Sequence, residues 1–246
     1  MLYYKEGILM TEAAEQKKKY FKGLSKREYI IKASEIIAHE GINAVSVRRI
    51  AKAIGCTSAN LYRYFDNLDQ LLYFAELRTL KDYIVSLNEM QQRQKNCWGI
   101  YVGVWDCYCK EAFSNPEAYN LLFFNNKLES VKKIKSAWEE YYQMFPEELS
   151  TDNHCFRLML QATEFMKRDY EICKICIDDG ALTVENAGIL NRMVCMLYKG
   201  YFKTVYDERP SVQDIQRYIR NCIDDIDRMV FALASDLKGY TGYYNG

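Results

Sequence analysis

The sequence predicts an all-α fold, a small N-terminal helical domain followed by a larger helical body. Three observations carry that prediction. The 246 residues include only 3 Pro and 12 Gly, and long segments hold neither, so few positions interrupt a helix. Apolar residues recur at spacings of three and four along most of the chain. Cap residues stand where these periodic runs begin, and Gly or Pro where they end. With 49% hydrophobic and 27% charged residues, the chain can fill a globular core.

Residues 1–23 are polar, carry Lys17, Lys18 and Lys19, and are expected to form a flexible arm. Met10 is an alternative start to Met1. Lys5 and Glu6 interrupt the first ten residues, which lack a signal-peptide core. No apolar run approaches the ~18–20 residues that span a bilayer. A cytoplasmic location is therefore expected, and with it reduced thiols at all 9 Cys.

Ser25 and Glu28 read as an S-x-x-E capping box, with Leu24 and Tyr29 at the staple positions. The helix behind them should bury Tyr29, Ala33, Ile36 and Ile37 and stop at Gly41. A second helix starts behind Ser46 and ends at Gly55. A third starts behind Thr57 and runs to about Tyr64, and a fourth runs from near Asn67 to about Gln94. The first domain is placed at 24–67 and the helical body at 68–238.

In the body, Trp98, Tyr101, Val102, Trp105, Tyr108 and Cys109 form one stripe. Asn115-Pro116 opens a short helix. Further helices are expected over about 128–144 and 151–178. Thr183 and Asn186 open another, with Ala187, Leu190, Val194, Leu197, Tyr201 and Val205 on one face. After Pro210-Ser211 the last helix spaces Ile215, Ile219, Cys222, Ile226, Met229 and Leu233 by alternating fours and threes. Such a seam is either an internal core face or the meeting line of a second subunit. The Gly/Tyr-rich stretch 239–246 reads as a flexible tail.

Charge is unevenly divided. Residues 1–67 hold 12 Lys+Arg against 7 Asp+Glu, a net of +5, and the remainder hold 21 against 26, a net of −5. A basic front on an acidic body suits a nucleic-acid-binding module, though a solvated surface can show the same imbalance.

The informative stretch is Val47 to Tyr64. Two short helices meeting at a tight turn need a small residue at their crossing, supplied by Ala51. They need a turn residue that tolerates positive φ, supplied by Gly55. Ile50, Ile54, Cys56, Leu61 and Tyr64 would fill the angle between them. This is a helix-turn-helix pattern. Ser46, Arg48 and Arg49 form a candidate phosphate site at a helix start. Thr57, Ser58, Ala59 and Asn60 form the turn that would enter a major groove. Tyr62, Arg63 and Tyr64 would reach the backbone, and Asn67 is a further candidate contact.

The run from Tyr29 to Leu72 resembles the N-terminal domain of TetR-type (tetracycline-repressor) regulators. The matching positions are Ala33, Ile36, Ile37, Gly41, Ser46-Val47, Ile50-Ala51, Gly55, Leu61-Tyr62-Arg63-Tyr64-Phe65 and Leu71-Leu72. The resemblance implies a homodimer on a palindromic duplex operator, with Tyr62 on the DNA backbone and Phe65 packed inward. It further implies a repressor released by a small-molecule effector in the body, and dimerisation through the last two helices. Leu190, Val194, Leu197, Tyr201, Ile215, Ile219, Cys222, Ile226, Met229 and Leu233 would then lie at the interface. One position departs: the family usually has Lys three residues after Phe65, where this chain has Leu68.

Trp98, Tyr101, Trp105, Tyr108 and Phe165 are candidate effector-pocket residues, with Phe123, Phe124 and Met166 opposite. An aromatic stripe at helical spacing is more often plain core, and that is the stronger reading of this one. Asp106, His154, Arg157 and Glu164 are polar side chains that could reach such a pocket. Two rival readings remain open. One is a helix-turn-helix interaction protein without operator specificity. The other is a redox- or metal-sensing regulator using Cys107, Cys109, Cys173 and Cys176, although His39 and His154 are the only histidines to help hold a metal. No cofactor is expected. An enzyme is disfavoured, because phosphate-cradling glycine loops, GxSxG and HExxH are all missing.

Overall fold

The computed structural model describes residues 25–124 and 131–244, and among these no strand occurs. The chain divides into two compact units, meeting in sequence at Ala75/Glu76. The expected arm at 1–23 and the staple residue Leu24 lie outside the described residues.

The first unit is built from α1 (Lys26–Glu40), α2 (Val47–Ile54), α3 (Ser58–Leu61) and the start of α4 (Leu68–Leu77). Its core is aromatic and aliphatic: Tyr29, Ile30, Ala33, Ile50, Leu61, Phe65, Leu71 and Phe74 are buried. Tyr29 stands 5.4 Å from Tyr64 and 6.2 Å from Phe65, ring to ring, and Phe65 stands 6.2 Å from Phe74. The backbone N–H of Ser25 donates to Glu28 Oε2 at 2.7 Å, which fixes the start of α1. Ile37, expected inside, is half-exposed at the edge of this core.

The second unit holds the remainder of α4, then α5 (Leu80–Arg93), α6 (Cys97–Ser114), α7 (Pro116–Phe123), α8 (Val131–Met144), α9 (His154–Gln161), α10 (Phe165–Asp178), α11 (Val184–Glu208) and α12 (Val212–Leu233). Helix α6 is its axis and packs against α5, α10, α11 and α12. Every residue from Tyr101 to Cys109 is buried, so the aromatic stripe belongs to a helix enclosed on all sides. Gly103 permits the close approach of α5, since a Cβ there would lie 2.6 Å from the Met90 sulfur. Among the described residues no helix is long and apolar enough to cross a membrane.

Three expected elements differ. The helix read from Asn67 to Gln94 is two helices, broken at Arg78-Thr79. The Thr79 hydroxyl donates to the Glu76 carbonyl at 2.7 Å, competing with the helical ladder, while Arg78 turns to pair with buried Glu148 at 3.0 Å. The helix read over 151–178 is also two. The Arg168 guanidinium takes the Leu160 and Ala162 carbonyls at 3.2 and 3.1 Å, closing α9 where no Pro or Gly marks an end. The Gly/Tyr segment read as a loose tail is, through residue 244, pinned to the body. The Tyr240 hydroxyl donates to Asp227 at 2.5 Å and the Tyr243 N–H to the same carboxylate at 2.9 Å. The Tyr244 hydroxyl donates to Asp106 at 2.8 Å.

The seam on the last two helices closes within the subunit. Leu190, Val194, Ile219, Cys222 and Ile226 are buried in a single chain, so they cannot meet a partner copy as expected. Leu197, Tyr201, Ile215, Met229 and Leu233 are only partly exposed. The outward apolar residues are others: Val184, Met193 and Met196 on α11, and Val212 and Phe231 on α12.

Candidate nucleic-acid interface and buried cavity

The turn between α2 and α3 is made by Gly55 at φ 83°, ψ 21°, the left-handed region that a Cβ disfavours. Its N–H and that of Cys56 both donate to the Ala51 carbonyl at 2.8 Å. The chain thus leaves α2 sharply and re-enters a helix behind Thr57, while Leu61 and Phe65 anchor the exit in the core. The α-helix proper ends at Leu61. Tyr62–Tyr64 continue as a turn, in which the Arg63 and Tyr64 N–H groups bond three residues back, so the helix is shorter than the expected run to Tyr64.

This geometry places Thr57, Ala59, Tyr62 and Arg63 outward, with Ser58 and Asn60 half-exposed. The Thr57 side chain makes no capping bond. Arg48 and Lys52 are also exposed, and with Arg63 they carry no ion pair among the described residues. Four sequence candidates are partly committed elsewhere. Ser46 accepts the Arg49 N–H as the cap of α2 at 3.2 Å. The Arg49 guanidinium is paired with Glu40. Tyr64 lies against Tyr29. Asn67 accepts the Gln70 N–H at 2.8 Å, capping α4.

In the second unit a cavity of about 30 Å³ is lined by Tyr83, Val104, Trp105, Tyr108, Met159, Phe165, Arg168, Asp169 and Ile172. Of the expected pocket residues, Trp105, Tyr108 and Phe165 line it. Trp98 does not: its indole N–H donates to the Asp236 carbonyl at 2.9 Å. Tyr101 is buried outside the lining, near Asp169. Asp169 Oδ1 accepts the Trp105 indole N–H at 2.8 Å, and Oδ2 accepts the Asn191 amide at 2.8 Å. Burial pushes the Asp169 carboxyl up to about 6, with these hydrogen bonds opposing it. Arg168 is 4% exposed, and its Nη2 has no hydrogen-bond partner among the described residues. His154, Arg157 and Glu164 are exposed and away from the cavity, and Asp106 is taken by Lys110, Tyr243 and Tyr244.

Sequence reasoning missed Arg168, Asp169 and Asn191. A signal was present: Phe165, Arg168, Asp169, Ile172, Cys173 and Cys176 share the helical spacing of one face. Two charged residues in a buried stripe require partners or a ligand.

The cysteines pair differently from their sequence spacing. Cys109 lies 3.9 Å from Cys222, and Cys173 lies 3.8 Å from Asp169. Burial pushes the Cys107 thiol up to about 12 and those of Cys109 and Cys173 well above the ordinary range, which suppresses the reactive thiolate. Among the described residues no group of three or more His, Cys, Asp and Glu side chains could hold a metal ion.

Residues 30–73 match the family model for bacterial regulatory proteins of the tetR family. The N-terminal unit is a tetR-family domain. No curated protein matches the chain in sequence. Beyond the tetR-type domain, similarity to solved structures extends over most of the chain at the level of the fold. The Thermus thermophilus FadR structure, a TetR-family transcriptional repressor in complex with lauroyl-CoA, aligns at 12% identity and TM-score 0.51. It covers 84% of this chain and 93% of its own. RolR in complex with resorcinol aligns at 9% identity and TM-score 0.51, covering 91% and 99%. A Rhodococcus sp. RHA1 protein of unknown function aligns at 13% and 0.51, covering 87% and 97%. Within the tetR-type domain, Leu68 opens α4 half-buried, and exposed Asp69 follows it in the first turn. This end of the domain presents less positive charge than the family pattern implies.

Proposed function

We propose that this chain is a DNA-binding transcription regulator that acts as a homodimer on a palindromic duplex, and that it is a repressor released by a small-molecule effector. The observation that carries the DNA reading is the left-handed Gly55 turn, which holds Thr57, Ala59, Tyr62 and Arg63 outward beside Arg48 and Lys52. Short polar side chains on the groove face and cations at its flanks suit base edges and phosphates respectively. The tetR-family match over residues 30–73 supports it. The cavity beside α6 supports an effector in the second unit. So does the finding that two proteins of similar fold were solved with small molecules, lauroyl-CoA and resorcinol. Release is a population shift: the effector must bind more tightly to the state that cannot hold DNA.

Dimerisation is assigned to the outward face of α11. Met193 and Met196 stand there a helical turn apart, with Gly200 one turn further along, rather than on the closed seam. Selection from random duplexes tests the whole reading. Recovery of a two-fold symmetric sequence is expected, with half-sites about one helical turn apart, ~34 Å. Uniform recovery would point instead to an interaction protein without operator specificity.

A further inference from the structure

The cavity beside α10 is short of hydrogen-bond acceptors. Arg168 Nη1 is occupied by the Leu160 and Ala162 carbonyls, but Nη2 has no partner among the described residues. The buried hydroxyl of Tyr108, also in the lining, is likewise without one. Asp169 does not meet this demand: its oxygens accept from Trp105, Asn191 and Cys173, and among the described residues it makes neither a hydrogen bond nor an ion pair with Arg168. A guanidinium is a permanent cation and cannot shed its charge to relieve burial. The group that satisfies Nη2 must therefore bring lone pairs, and an anion does so most strongly.

The walls specify the remainder of the molecule. Trp105, Tyr108 and Phe165 meet edge-on or tilted, with ring centres 5.9 to 6.0 Å apart. Tyr83 stands edge-on to Tyr108 at 5.5 Å. Such an array accepts a flat ring as one more member. The space of about 30 Å³ holds a water-sized group, so a ring enters by displacing a side chain. Unbranched Met159, in the lining with the rings, is the movable one.

We propose that this cavity binds a small aromatic carboxylate, its carboxylate on Arg168 Nη2 and its ring among Tyr83, Trp105, Tyr108 and Phe165. The inference rests on the effector reading above and names the effector's chemical class. The probe is benzoate, compared with benzyl alcohol, which keeps the ring and loses the charge. Titration of the full chain by tryptophan fluorescence and thermal shift is expected to show benzoate binding at least about tenfold tighter. In Arg168→Met that preference should fall to within about twofold. If that variant fails to fold, the wild-type comparison decides alone. Equal binding of the two probes, or no benzoate binding at about 10 mM, overturns the inference. DNA selection on the same protein reports the regulator reading separately: a palindrome recovered without benzoate binding removes the ligand class and leaves the regulator.

Discussion

Leu68→Lys would restore the cation that the family pattern places at the start of α4, and its effect can be sized from the structure. Three exposed side chains on the docking face, Arg48, Lys52 and Arg63, carry no ion pair among the described residues, while Arg49 is tied to Glu40. A two-fold pair then offers about six phosphate contacts, and log K should fall against log salt with a slope near −5. One added Lys per subunit adds two contacts and steepens the slope by about 1.8. With the non-electrostatic part unchanged, affinity at about 0.1 M salt should rise roughly 60-fold. The cost in stability is small, because Leu68 is only half-buried and a cation at a helix start loses about 0.3–1 kcal/mol. Fluorescence anisotropy of a labelled operator, titrated from about 0.05 to 0.3 M salt, reads both numbers. An unchanged slope with folded protein would show that α4 does not face the phosphates, and the docking orientation would have to be abandoned.

Gly55→Ala should destabilise the first unit by about 1–2 kcal/mol, and Gly55→Asn by less, because a Cβ is penalised at φ 83°; calorimetry of both variants checks the order. Tyr62→Ala, at 57% exposure, should abolish specific binding while costing much less stability than loss of a buried aromatic; retained affinity would contradict the assigned face. Met193→Glu with Met196→Glu should yield a folded monomer in analytical ultracentrifugation, whereas a persistent dimer would place the interface elsewhere. Stability of the second unit should fall from pH 5 to pH 8. Burial raises Asp169 to about 6 and Glu76 to about 7, with Glu117 also acting on Glu76. Both therefore contribute fully below their unfolded values near 4, and that contribution is lost as pH rises through 6 to 7. The ceiling is about 3 kcal/mol each. Glu76→Gln should flatten the upper part of that decline in thermal melts, and an unaltered profile would refute its assignment.

The first unit was legible because its constraints are local. Gly55 needs positive φ, Ala51 permits a crossing, and Leu61 with Phe65 must point inward; each is visible as a residue type at a fixed spacing. What spacing could not show was competition for side chains. Arg49 and Asn67 have the right chemistry for phosphate, yet Glu40 and the Gln70 N–H claim them first. In the body, periodicity located helices but not their breaks. The ends at Arg78-Thr79 and at Ala162 are set by side-chain bonds, one of them to distant Glu148, rather than by Pro or Gly. The seam on α11 and α12 was correctly read as apolar, but a pattern of fours and threes does not say whose surface it meets. The tail looked loose by composition, yet its tyrosines supply the donors that buried Asp106 and Asp227 require.

Arg168 joins two parts of the second unit through a single rigid plane. One nitrogen donates to the last carbonyls of α9, the other is buried without a hydrogen-bond partner among the described residues, and the side chain lines the aromatic cavity. Because the guanidinium is one rigid plane, the nitrogen that holds the α9 carbonyls and the nitrogen without a partner keep a fixed separation and a common orientation. The end of α9 and the wall of the cavity thus depend on one side chain, with no residue in between.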